Sequence, residues 1–248
     1  MTAPAVTVAQ MREVDRLAVE NYSVQLIQMM ELAGRALAEV TRELLGGSVA
    51  NKRLVVAAGR GNNGGGGLAA ARHLANWGGD VTVLAERVAA VTGVPAQQLA
   101  SARAAGARVL DDGSALEDIS SAHPALFIDA LIGYGLTGAP RGWTGEIIAR
   151  AMAEGLRTLS LDVPSGIDAT TGECFQPCVR ATATLTLALP KTGLLTPAAR
   201  AAVGTLYLAD IGIPPRLYAG LGLAVGAIFE HDGIVRLDDD GRIRARTG

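Results

Sequence analysis

Residues 53–74 read RLVVAAGRGNNGGGGLAAARHL, and this one stretch decides the fold. Its first six residues form a short apolar run around Val55 and Val56, the composition of a strand buried on both faces. From Leu68 the text, LAAARHLANW (68–77), is helical. Between them lies GRGNNGGGGL (59–68), with six glycines, two asparagines, one arginine and no carboxylate. A flexible linker would not be bounded at once by a buried strand and an amphipathic helix, so the glycines read as a strand-to-helix loop. In that place glycines let backbone amides approach an anion, and the following helix directs its positive end at it.

The same alternation continues outward. DVTVLAE (80–86) is a strand before the helical PAQQLASARAAG (95–106), and ARVL (107–110) is a short strand. ALFIDALIG (125–133) is a stronger strand before the helical GEIIARAMAEG (145–155). TLSLDVPSG (158–166), ATATLTLALPK (181–191) and GTLYLADIGIP (204–214) are strands, the last of them closing the sheet. Apolar strands separated by helices imply a mainly parallel sheet covered on both faces: a single α/β, doubly wound, Rossmann-like domain. Two helices precede it. Thr7 and Gln10 form a capping-box pattern for a helix over about 8–20 with Met11, Val14 and Leu17 on its apolar face. Ser23 is the expected cap of a second, with apolar face Met30, Ala33, Leu37, Val40 and Leu44, stopped by Gly46 and Gly47. The domain is expected over residues 1–230, and the tail, 231–248, has lost periodicity and is expected to be disordered or frayed.

A chain of 248 residues with a net charge of -2 has room for one large core and no basic field to hold nucleic acid. The two cysteines, Cys174 and Cys178, lie in a C-x3-C spacing without a second pair or a nearby histidine, which is too little for a zinc site. Free thiols in a cytoplasmic protein are the expectation. No cationic start with an apolar core opens the chain, and no apolar run approaches the ~20 residues needed to span a bilayer, so no membrane partner is expected.

In such a sheet, ligands bind outside the carboxyl ends of the strands. Four segments fall there: the glycine stretch, Asp129 with GYGLTGAPRG (133–142), Asp162 with VPSGID (163–168), and Pro190 with Lys191. The glycines are not a P-loop, since no Lys-Ser or Lys-Thr pair follows them. Gly59, Gly61 and Gly64 match G-x-G-x-x-G, but reading on reaches Asp80 and Glu86 without a clear ribose-binding choice. The amide carbonyls of Asn62 and Asn63, with a carboxylate such as Asp129 and a hydroxyl such as Ser165, give several oxygen ligands of little total charge. That set suits a large monovalent cation, while turn chemistry is the other reading of the asparagines. Asp162 and Lys191 can face one pocket as acid and base; equally, Asp162 can cap the next loop through backbone hydrogen bonds. His73, His123 and His231 lie in no metal or triad spacing, and Asp168 reads as a turn residue.

Taken together, MELAGRALA (30–38), GRGNNGGGGLAAARHL (59–74), DALIGYGLTG (129–138), LDVPSGIDATTG (161–172), TLALPKTGL (186–194) and ADIGIP (209–214) resemble the YjeF N-terminal domain family, the NAD(P)H-hydrate epimerases. The resemblance covers residues 8 to about 215. It implies an isomerase of nicotinamide cofactor repair, interconverting the R and S epimers of 6-hydroxylated, hydrated NADH or NADPH. It implies substrate contacts at Asn62, Asn63, Gly64, Gly65 and Gly66, at Gly133, Tyr134, Gly135, Leu136, Thr137, Gly138 and Ala139, and at Asp162. It also implies one potassium ion per subunit, held by Asn63, Asp129 and Ser165, with Asp162 and Lys191 as the catalytic pair. A separate NAD(P)H-hydrate dehydratase is the implied pathway partner, and the added helices leave room for a homodimer. The family's loop reads GNNGGDG, whereas Gly66 stands here where the acid is expected. The alternative to an active epimerase is therefore a nucleotide-binding or scaffold member without turnover.

Overall fold

Leu54, Val56 and Ala58 of β1 (Arg53–Ala58) enter one apolar layer, and Val55 and Ala57 enter the opposite one. Neither face of this strand meets water, which is why its sequence shows no polar alternation. The structure, a computed structural model, describes residues 1–111 and 123–245. β2 (Asp80–Ala85), β3 (Arg108–Leu110), β4 (Leu126–Ala130), β5 (Thr158–Leu161), β6 (Ala183–Leu187) and β7 (Thr205–Ala209) join β1 in parallel pairing. With two further strands the order is β3-β2-β1-β4-β5-β6-β7-β8-β9. The direction of winding reverses between β1 and β4, the switch point at which such sheets open a crevice.

On one face α2 (Leu26–Leu44), α3 (Asn62–Asn76) and α4 (Gly93–Ala104) cover β1 and β4 through Leu37, Leu68, Leu74 and Leu99. On the other, Ile147 and Ile148 of α5 (Gly142–Ala153) meet Val55 and Phe127. α1 (Val8–Glu20) packs Met11, Val14 and Ala18 into a third cluster with Leu206 and Leu208 of β7, which also takes in the short helices α6 (Arg200–Val203) and α7 (Pro215–Gly220). Thr7 and Gln10 make the expected reciprocal cap on α1. Among the described residues, no helix is long and apolar enough to cross a membrane.

Three expectations are corrected. The glycine stretch is not a loop: α3 begins at Asn62 and runs through all four consecutive glycines. A Cβ on Gly64 would lie 1.7 Å from the carbonyl oxygen of Gly59, and one on Gly67 would lie 2.4 Å from Cβ of Ala130. These glycines are the surface by which the helix presses on the sheet, and that close approach overrides their poor helix propensity. Second, α2 is capped at Gln25, whose N–H donates to Gln28 Oε1 at 2.7 Å; Ser23 instead sits at φ 58 in the preceding turn. Third, the described part of the tail is not frayed. β8 (Ile234–Leu237) pairs antiparallel with β7, and β9 (Ile243–Arg244) with β8. Ile234, Val235 and Leu237 are buried, and the pairing covers what would be an open strand edge. The chain start is tied to this hairpin, Ala3 N–H donating to Gly241 O at 3.0 Å and Ile243 N–H to Met1 O at 2.9 Å.

Candidate active site

Two neighbouring strands end in the same unusual way. After β5, Val163 N–H donates back to Leu161 O at 2.9 Å, closing a three-residue turn with Asp162 at φ 67. After β6, Leu189 N–H donates to Leu187 O at 2.7 Å, with Ala188 at φ 63. Turns of this hand are rare and strained for residues with a Cβ, and such strain collects at functional sites. Their result is to bring Asp162 and Lys191 together. The Lys191 ammonium donates to Asp162 Oδ1, to Leu187 O at 2.9 Å and to Thr186 Oγ1 at 3.4 Å. Asp162 Oδ2 accepts the Tyr134 N–H at 3.0 Å. Both side chains are buried, and each has polar partners besides the other.

Asp129, at the end of β4, is 0% exposed. Its carboxylate accepts from Ser165 Oγ at 2.6 Å, Ser160 Oγ at 2.8 Å, Ser165 N–H at 2.9 Å and Leu131 N–H at 3.2 Å. Burial pushes its carboxyl above the usual range, and the hydrogen bonds from Ser165 and Ser160 act against that. Those partners are all uncharged. Asn63 lies at the amino end of α3 with its side-chain Nδ2 buried and without a hydrogen-bond partner. A Cβ on Gly133 would lie 3.1 Å from Asn63 Oδ1 and 3.0 Å from Asp162 Oδ2, so both oxygens crowd the same glycine.

Asn63, Asp162 and Lys191 border a cavity of about 690 Å³, whereas Asp129 and Ser165 are buried and lie outside its lining. Asn62, Asn63, Gly66, Gly133, Tyr134, Gly135, Asp162 and Lys191 line it from the sheet side, and Met11, Asp15, Met29 and Met30 from α1 and α2. The amides of Asn62 and Asn63 precede the first rung of α3, Gly65 N–H to Gly61 O, at the helix end that borders the cavity. Gly64 and Gly65 face protein: a Cβ on Gly65 would meet Met30 Sδ at 2.7 Å. Leu136, Thr137, Gly138 and Ala139 follow outside the lining. Asp15 was absent from the sequence reading, yet it accepts a hydrogen bond from the Tyr134 hydroxyl. Elsewhere His73 pairs with Glu31, the Asp168 carboxylate accepts the Thr170 and Thr171 amides of its turn, and Cys174 and Cys178 are free thiols. A separate cavity of about 480 Å³, bordered by Arg200 and Arg236, holds none of the groups above.

A doubly wound sheet whose carboxyl edge gathers a helix start, a buried carboxylate and a buried Asp–Lys ion pair around one cavity has the architecture of an α/β enzyme. The chain belongs to the family described as YjeF-related protein N-terminus, whose profile matches residues 26–193. It is 47% identical over 218 residues to the NAD(P)H-hydrate epimerase of Dehalogenimonas lykanthroporepellens, covering 88% of this chain and 86% of that one. It is 39% identical to the bifunctional NAD(P)H-hydrate repair enzyme Nnr of Moorella thermoacetica, covering 86% of this chain and 41% of that longer one. The crystal structure of the yeast protein ynu0 superimposes with a TM-score of 0.83 at 26% identity, covering 94% of this chain and 100% of that one.

Proposed function

We propose that this protein is an NAD(P)H-hydrate epimerase, interconverting the R and S forms of hydrated NADH and NADPH. The observation that carries the reading is the buried Asp162–Lys191 pair opening into a cavity beside the amino end of α3, in a chain 47% identical to a protein of that name. The altered carbon of the substrate bears a hydroxyl and is bonded to the ring nitrogen. Departure and return of water at that carbon, with the nitrogen lone pair stabilising the planar cation between, scrambles the centre. Asp162 moves the proton on and off the oxygen, and Lys191 stabilises the carboxylate and orients it. The α3 amides receive a phosphate group of the substrate, as helix starts do.

Asn63, Asp129 and Ser165 would hold one potassium ion. The fit rests on a carboxylate with no exposure whose partners are uncharged, beside a hydroxyl and an amide side chain with an unpartnered nitrogen. Bound there, the ion supplies positive charge to offset Asp129. Gly66 lines the cavity, and the acid absent from it is not part of the Asp162–Lys191 pair, which favours an active enzyme over a binding-only relative. A separate NAD(P)H-hydrate dehydratase consumes the S form; the longer bifunctional relative supports that pairing of activities.

The test supplies mixed epimers of hydrated NADH and an S-specific dehydratase, then follows consumption of the R form. This protein accelerates that consumption, and Asp162→Asn lowers the acceleration by ~10²- to 10⁴-fold, the usual contribution of a positioned acid or base. An Asp162→Asn protein as fast as the native one removes Asp162 from the chemistry.

A further inference from the structure

We infer that Asp15, held by Tyr134, is a second acid–base group in the cavity that the Asp162–Lys191 pair lines, so that each face of the reacting ring has its own proton-moving carboxyl. The inference rests on the epimerase reading above. R and S epimers carry their hydroxyl on opposite faces of the ring. A single carboxylate would have to cross from one face to the other between loss and return of water. Asp162 is in no position to travel: its backbone is locked in the turn after β5, Leu185 O accepts its N–H at 2.7 Å, and Lys191 and the Tyr134 amide hold its two oxygens.

Tyr134 supplies the geometry for a second group. Its N–H binds Asp162 Oδ2, while its hydroxyl binds Asp15 Oδ2. Tyr134 thus bridges the two carboxyls, its N–H on one and its hydroxyl on the other. Both line the cavity, and the Lys191 ammonium lies 5.8 Å from the Tyr134 ring centroid. Asp15 is carried by α1 and Asp162 by the turn after β5, so the two reach the cavity lining from different elements. Burial raises the Asp15 carboxyl above its ordinary range, opposed by the Tyr134 hydrogen bond and by Lys191, and favours the protonated form an acid needs.

Asp15 gives its proton to the departing hydroxyl; the C–O bond breaks with its electron pair leaving in water, and the ring nitrogen pair forms C=N. The Tyr134 hydroxyl donates to the Asp15 carboxylate so formed. On the other face, Asp162 takes a proton from an incoming water as its oxygen bonds to the same carbon and the C=N pair returns to nitrogen. One proton has moved from Asp15 to Asp162, and the reverse reaction or solvent restores it.

The experiment uses the full chain with separated epimers of hydrated NADH in ¹⁸O-water, measuring epimerisation and isotope entry together. For Asp15→Asn, epimerisation falls by ~10²-fold or more, while ¹⁸O still enters one epimer at nearly the native rate, because Asp162 continues to remove and restore water on its own face. Tyr134→Phe shows the same split to a smaller degree, and it decides the matter if Asp15→Asn does not fold. Native-rate epimerisation in both variants, or equal loss of exchange and epimerisation, overturns the second group. A native protein that neither epimerises nor exchanges overturns the epimerase reading itself.

Discussion

Replacing Lys191 by Met removes a buried ammonium while keeping an unbranched stem of similar volume. The Lys191 side chain is 1% exposed and that of its partner Asp162 is 6% exposed, so the variant strands a carboxylate away from water. Breaking one member of such a pair costs about 3–5 kcal/mol. Asp162 would keep only the Tyr134 N–H, and Leu187 O and Thr186 Oγ1 would each lose a donor. Since domains of this size are stable by only about 5–15 kcal/mol, the single variant lies close to unfolding. Adding Asp162→Asn removes the stranded charge, and Asn tolerates the positive φ of that position. Replacing a buried pair together is neutral or stabilising in many proteins, and with one amide left to satisfy, the double variant is expected within about 1–2 kcal/mol of the native protein. Urea denaturation followed by circular dichroism, with an unchanged m-value, measures all four corners of the cycle. A double variant destabilised by the sum of the two single changes would refute the reasoning, since the two charges would then act independently. Activity is a separate readout: the double variant stays inactive however stable it becomes.

Potassium chloride raises the melting temperature more than lithium chloride at equal ionic strength, by the equivalent of about 2.7 kcal/mol when the ion is at a hundred times its Kd, and Asp129→Asn abolishes the difference; equal melting in both salts removes the ion from the reading. In Gly66→Asp the new Cβ meets Leu161 Cδ2 at 2.9 Å, the free end of a side chain, so the variant folds at a cost of about 0.5–1.5 kcal/mol for the displaced rotamer. Its epimerisation is compared with that of the native chain, which is expected to turn over already; acceleration from the variant alone would make the native chain a binding-only protein. A chain cut after Gly233 loses β8 and β9, exposes the β7 edge and forfeits buried Ile234, Val235 and Leu237, each worth about 1.5–3 kcal/mol when fully buried. Its melting temperature falls and it aggregates; an equally stable, soluble truncation would show the hairpin to be dispensable.

The parallel sheet was legible because strands buried on both faces need continuous apolar runs, and those runs were spaced by helical text. Asp129, Asp162 and Lys191 were legible for a related reason: a charged residue just past an apolar strand stands at the edge where such folds bind ligands. The start of α3 was not. Four glycines argue against a helix by about 1 kcal/mol each on propensity, and only the contacts of Gly64 with Gly59 and of Gly67 with Ala130 reverse that judgement. Those partners are far away in the text or carry no side chain to signal them. β8 was hidden because its pairing partner, the edge of β7, exists only after the sheet has formed. Asp15 did leave a signal. It lies four residues after Met11 and three before Ala18, half-buried at the edge of the buried stripe of α1, where a carboxylate benefits from a partner.

Asp162 itself shows why local rules break at this site. A left-handed turn at a strand end would ordinarily select glycine, and strain of about 1–3 kcal/mol is the consequence of placing another residue there. Glycine, however, has no carboxylate to offer. The turn is kept because β6 holds it: Leu161 pairs with Leu185, and Leu185 O accepts the Asp162 N–H. Because β6 then ends in a turn of the same hand, the separation of Asp162 and Lys191 is set by sheet register rather than by either loop. A pair fixed in that way cannot relax toward its own best geometry, and it needs little reorganisation when substrate enters, the condition under which buried charges are most effective in moving protons.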